Sequence, residues 1–226
     1  MELILYYGLP IIGFIIVLIA QANITSSYKK YAKVLTKKNI TGAEVARTIL
    51  SANGLDNIYV VSVKGELTDH YDPSRKVVRL SESIYEGTSI ASFGVAAHEC
   101  GHAIQDKVGY SFMRIRAFLV PIVNLVSYLG YFGLIVSIFA GITGYIKISI
   151  LILLATILFQ LVTLPVEFDA SKRAKEELIK LGLVNEAEVN QVGKVLNAAA
   201  LTYVASLLSN LLQLLRLVIL LGNRDD

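Results

Sequence analysis

Between Ala117 and Val166 the chain carries one charge, Lys147. One crossing of about 30 Å of hydrocarbon takes about 20 residues, so this run is too long for a single span. Gly141 to Gly144 offers a turn near its middle, and the run reads as a helical hairpin, Leu119 to Ala140 and Ile146 to Leu164. Two further stretches have spanning length. Leu3 to Ala22 is uncharged, and Ala198 to Leu221 is interrupted only by Arg216. A charge in lipid is costly unless it snorkels, which makes the last stretch the least regular of the four.

The bulk numbers agree with a bilayer. Apolar residues make up 54% of the chain and charged residues 17%, and the mean hydropathy is +0.60. The segment before the first apolar run holds Met1 and Glu2 with no positive charge. The run is also long for a signal-peptide core, so it reads as a retained anchor, although Ala20-Gln21-Ala22 has the small-x-small pattern of a cleavage site. Basic residues set the orientation. Lys29, Lys30, Lys33, Lys37 and Lys38 follow the first span, Lys107, Arg114 and Arg116 precede the second, and Lys172, Arg173, Lys175 and Lys180 follow the third. A four-span topology puts all three clusters on the cytoplasmic side and the termini outside. Cytoplasmic parts then cover approximately 23–116 and 165–197. The net charge of +3 is mild, and no basic stripe, zinc finger or phosphate-cradling loop points to nucleic acid. A single cysteine, Cys100, excludes an internal disulfide.

The first cytoplasmic part reads as a small α+β unit. Thr41-Gly42-Ala43-Glu44 is a capping-box pattern that opens a helix stopping near Gly54. Ile58 to Val63 and Lys76 to Leu80 read as strands, with turn signals at Gly65 and Asp72-Pro73-Ser74. A helix from Ile90 to Gln105 follows, capped by Thr88 or Ser89. The free edge of the sheet can pair with an extended peptide. Ser171 to Asn197 reads as a charge-rich amphipathic helix pair.

The helix after the second strand contains His98-Glu99-Cys100-Gly101-His102, the pattern H-E-x-x-H. Residues four apart lie on one helix face, roughly 6 Å apart along the axis, so two imidazoles can grip one Zn2+. Glu99 sits about 100° round the helix and can act on an attacking water. The bland alternative is a pair of satisfied core histidines. The chain spends only three histidines in all, and two stand at this spacing. Cys100 points off their face and reads as packing.

A catalytic zinc site takes three protein ligands and leaves one position open. A further His six residues on is absent, since position 108 is Val. Glu167, directly after the third span in Leu164-Pro165-Val166-Glu167-Phe168-Asp169, is the strongest carboxylate candidate. An interfacial cap at the helix start is its alternative role. Asp169 is a candidate to orient a ligating histidine through its free ring N–H.

Thr41 to Ala46, Leu67 to Pro73, Ala96 to Gln105, Leu164 to Ser171 and Leu196 to Tyr203 together resemble the YugP-type neutral zinc metallopeptidases, small bacterial membrane proteins. The layout is also similar to the HtpX-type and CAAX prenyl protease group. There an H-E-x-x-H helix and a later Glu are separated by a transmembrane hairpin, and the site faces the cytoplasm. The resemblance implies His98, His102 and Glu167 as zinc ligands and Glu99 as general base. In the HtpX group an Asp stands four residues after the ligand Glu; here that position is Ser171.

The expected fold is therefore a mainly α integral membrane protein of about four transmembrane helices with a small cytoplasmic α+β zincin-like (gluzincin) part, one membrane zinc-peptidase domain over 1–226. The expected activity is hydrolysis of peptide or membrane-protein substrates at the lipid bilayer of the cell membrane, with the site on the cytoplasmic side. His70 and Tyr203 are candidates for a second electrophile. Their bland readings are a turn residue and an interfacial aromatic. A non-catalytic membrane protein with a structural or sensory zinc site is the competing class, and a fourth protein ligand would mark it.

Overall fold

The computed structural model describes residues 7–139 and 145–222. The turn expected at Gly141 to Gly144 and the start of the first apolar run fall outside the described residues. Ten elements follow one another: α1 (Leu9–Tyr31), α2 (Gly42–Ala52), β1 (Tyr59–Val63), β2 (His70–Asp72), β3 (Val77–Ser81), α3 (Glu82–Tyr85), α4 (Ile90–Lys107), α5 (Ser111–Phe139), α6 (Tyr145–Lys180) and α7 (Glu186–Gly222). They divide into two compact units, Met1–Gln21 with Phe112–Leu164 and Leu201–Asp226, and Ala22–Ser111 with Pro165–Ala200.

The first unit is helical and apolar on its outside. Among the described residues four helices, Leu9–Tyr31, Ser111–Gly133, Lys147–Lys180 and Glu186–Gly222, are long and apolar enough to cross a membrane. Phe14, Ile19, Phe132 and Leu151 are among the large side chains they leave exposed. Water would penalise such a surface, whereas lipid would not. Close crossings occur at small residues. A Cβ on Gly13 would stand 2.7 Å from Ser209 Oγ. Asn210 Nδ2 donates to Gln160 Oε1 at 3.0 Å, joining α7 to α6. The helices overrun the apolar stretches that announced them. α1 continues past Ala22 to Tyr31, and α5 starts at Ser111 rather than 119. Apolar runs mark the thickness of lipid, while helical backbone bonds are equally satisfied beyond it.

The second unit holds the sheet and α4. The capping box of α2 is formed in both directions: Glu44 N–H donates to Thr41 Oγ1 at 3.2 Å, and Thr41 N–H donates to Glu44 Oε2 at 2.6 Å. The helix ends at Ala52 with Gly54 at φ +60, where Leu55 N–H returns to the Leu50 carbonyl at 2.9 Å. Thr41→Ala is expected to cost about 1 kcal/mol of stability. It should show as a lower thermal midpoint of the purified protein, with Thr41→Ser close to wild type.

The sheet has the order β1-β3-β2. β1 runs parallel to β3, with Tyr59 opposite Val77, and β2 runs antiparallel to it, with Tyr71 opposite Val78. β2 occupies what the sequence presents as a turn. Its three residues are too few to show alternation, and the turn proper follows it, where Asp72 Oδ1 accepts from Ser74 and Arg75 N–H at 3.0 Å each. Asp69 ties the start of β2 to the end of β3 by accepting from Ser81 N–H at 2.7 Å. The short α3 also carries no sequence signal of its own.

α4 opens at Ser89, whose Oγ accepts from Ser92 N–H at 3.1 Å. It is buried on nearly every side, which explains its weak amphipathic pattern. The α2 core residues Ala46 and Ile49 are fully buried, and Cys100 Sγ donates to the Ala46 carbonyl at 3.6 Å. Burial pushes the Cys100 thiol up, so this side chain packs rather than reacts. The expected charge-rich helix pair is the end of α6 and the start of α7. Asn185 and Glu188 cap α7 reciprocally at 2.9 and 3.0 Å, and Glu188 Oε1 also accepts from Lys37 N–H at 2.8 Å.

Candidate metal centre

His98 and His102 project from the same face of α4, one turn apart. Their rings meet edge-on, with centroids 4.8 Å apart and planes at 82°. The Pro165–Ala200 segment brings Glu167 to them on α6. Glu167 Oε2 lies 3.3 Å from His98 Nε2 and 3.7 Å from His102 Nε2. The three donor atoms all lie within 4.8 Å of one another, and among the described residues no fourth His, Cys, Asp or Glu joins the group. Donors about 2.0–2.2 Å from a tetrahedral zinc stand roughly 3.4 Å apart, so these separations fit one ion. Two imidazoles and one carboxylate are also the donor chemistry zinc accepts while keeping a position open.

The centre is well shielded. His102 is 8% exposed, Glu167 5% and the neighbouring Glu99 7%. Burial opposes a charged His102, but the Glu167 carboxylate 3.7 Å away, the charge of Glu99 and the bond to Gln105 outweigh it. The His102 pKa therefore lies above the usual imidazole range. Protons accordingly compete with a metal for its Nε2.

A glycine permits the close approach of α6. A Cβ on Gly101 would stand 2.5 Å from the Ala170 carbonyl oxygen and 3.1 Å from both Ala170 C and Cα. The third residue of H-E-x-x-H after its first histidine thus sits directly against the backbone of the helix that carries Glu167.

Around the donors lies a second layer of hydrogen bonds. Ser171 Oγ is 3.2 Å from His98 Nδ1. Gln105 Oε1 is 3.0 Å from His102 Nδ1. Gln105 Nε2 donates to the Val166 carbonyl at 2.8 Å and to Asp169 Oδ2 at 2.9 Å, and Arg173 Nε donates to the same carboxylate oxygen at 2.6 Å. Asp169 is thus one bond farther from a histidine than the sequence indicates, with Gln105 standing between. Ser171, four residues after Glu167, thus sets its hydroxyl against the ring nitrogen of His98 that faces away from Glu167.

The roles of Gln105 and Gly101 are not legible in the sequence, and Ser171 shows there only as the residue four after Glu167. Helical spacing holds the only local signal, since Gln105 is three residues after His102 and Ser171 four after Glu167. His70 lies on the edge strand β2, exposed, with Nδ1 2.7 Å from the Thr68 carbonyl. Among the described residues it is not part of the donor group. Tyr203 belongs to the other unit, on α7, and is 37% exposed.

The family model described as "Putative neutral zinc metallopeptidase" matches residues 6–222. The chain belongs to this family. Among relatives of the neutral zinc metallopeptidases it is similar to the "Putative membrane protease YugP" of Bacillus subtilis (strain 168), at 46% identity over 208 residues, which cover 92% of each chain. No solved structure matches the chain. The family's zinc accords with the donor group of His98, His102 and Glu167.

Proposed function

We propose that the chain is a multi-pass zinc endopeptidase of the cell membrane, of gluzincin type, that hydrolyses peptide or membrane-protein substrates at the cytoplasmic surface of the bilayer. The observation that carries this reading is the convergence of two imidazole Nε2 atoms and one carboxylate oxygen from two helices, with Glu99 beside them and no fourth donor among the described residues. A purely structural or sensory site would be closed by four ligands.

His98, His102 and Glu167 hold the ion, which when bound supplies a Lewis acid for the scissile carbonyl and for a water. Glu99 takes the proton from the attacking water and gives it to the departing amine nitrogen. Its near-complete burial removes competing solvent from that transfer. The open edge of β2 pairs with the substrate backbone in extended form.

Glu99→Gln is the decisive comparison. The amide has the shape of the acid but cannot take a proton. The purified variant in nanodiscs should keep one zinc per chain and lose about 10²–10⁴-fold in cleavage of a membrane-protein substrate mixture, read by mass spectrometry of released peptides. Cleavage at the wild-type rate would remove Glu99 from the chemistry. A wild-type protein that binds zinc and cleaves nothing would move it to the structural class.

A further inference from the structure

Gln105 is fully buried and makes three hydrogen bonds that leave its amide one orientation. An amide nitrogen has two hydrogens and no acceptor capacity. Gln105 Nε2 faces a main-chain carbonyl, Val166, and the Asp169 carboxylate, which Arg173 holds at 2.6 Å. Both of these groups only accept. Turning the amide over would set its oxygen against two acceptors, so Oε1 must face His102 Nδ1. An oxygen there only accepts, so Nδ1 must carry the proton. The lone pair of His102 is then left on Nε2, the atom turned toward Glu167.

His98 differs. Its Nδ1 faces the Ser171 hydroxyl, which can donate or accept, so that bond fixes the direction of the ring but not its tautomer. The two acceptors of Gln105, Val166 and Asp169, also flank Glu167 on α6. The same side chain that orients one histidine thus pins the turn that carries the carboxylate.

We propose that Gln105 is a positioning residue that locks His102 in the Nδ1–H form and fastens it to the α6 turn bearing Glu167. The metal consequence rests on the zinc reading above; the tautomer does not. The chain has three histidines, so selective 15N-histidine labelling gives three ring systems, assigned by single His→Asn replacements. In metal-free wild type, well above the usual imidazole range of pH, His102 should show a protonated Nδ1 and a bare Nε2. Gln105→Met, apolar and of similar length, should give a mixture of tautomers and lose about 10–100-fold in zinc affinity by chelator competition. Gln105→Glu keeps an acceptor at His102 Nδ1 but sets a carboxylate against the Val166 carbonyl and Asp169. It should keep the wild-type ring tautomer while losing about tenfold in zinc affinity through the loosened hold on α6. Unchanged ring signals in Gln105→Met overturn the proposal, as does a mixture of tautomers in Gln105→Glu, which would show that packing alone matters. A wild type with the locked ring but no zinc affinity would defeat the zinc reading and leave the lock standing.

Discussion

Gly101→Ala is expected to separate the two imidazoles from their carboxylate. The added methyl would meet Ala170 O at 2.5 Å and two further backbone atoms at 3.1 Å. None of these is the end of a flexible side chain, so α6 must move. A displacement of about 1 Å is large against donor spacings that must match one small ion. The variant should lose stability by about 1–3 kcal/mol, as overpacked cores do. It should also lose zinc affinity by about 10²-fold or more, beyond what an outer-layer partner costs. Gly193→Ala is the control. A Cβ there meets only Lys175 Cδ at 3.8 Å, an ordinary contact within a helix, and the change should be neutral or slightly stabilising. A Gly101→Ala protein that holds zinc as firmly as wild type would mean that the α4–α6 contact does not set the geometry of the centre.

Glu167→Ala should leave only His98 and His102 to hold the ion. Outer-layer partners of a metal site cost 10–100-fold when removed, and a direct ligand should cost on the order of 10³-fold or more. The variant should therefore be recovered without stoichiometric zinc after dialysis against a weak chelator. Glu167→Asp keeps the charge but withdraws it by one methylene and should retain part of the affinity. Full zinc content in Glu167→Ala would show that another group is the third donor.

The sequence is most legible where chemistry is local. The capping box of α2, a cap for α4 at Thr88 or Ser89, the strands β1 and β3 and the helical H-E-x-x-H face all announce themselves within a few residues. Glu167 stood out because few carboxylates border an apolar run so closely. What stayed hidden depends on contacts between distant segments. β2 exists because β3 offers it a partner, not because His70 to Asp72 alternates. Ser171 and Gln105 acquire their roles only when α4 and α6 cross, with partners 73 and 61 residues away along the chain. Gly101 looks like an interchangeable x of the motif until the Ala170 carbonyl is set beside it. Helix ends lie beyond the apolar runs for a different reason, since hydropathy reports the solvent and not the backbone.

The donors also come in a fixed order along the chain. His98 and His102 precede α5 and the apolar start of α6, and Glu167 follows them, 69 residues after His98. At about 5–20 residues per second of synthesis, a growing chain holds the two imidazoles for several seconds before the carboxylate exists. A truncated or stalled product ending before Glu167 would possess two thirds of the grip and none of its closure. The donor set is complete only once α5 and the apolar start of α6 have been made, so a chain that stops short of them has no way to enclose an ion.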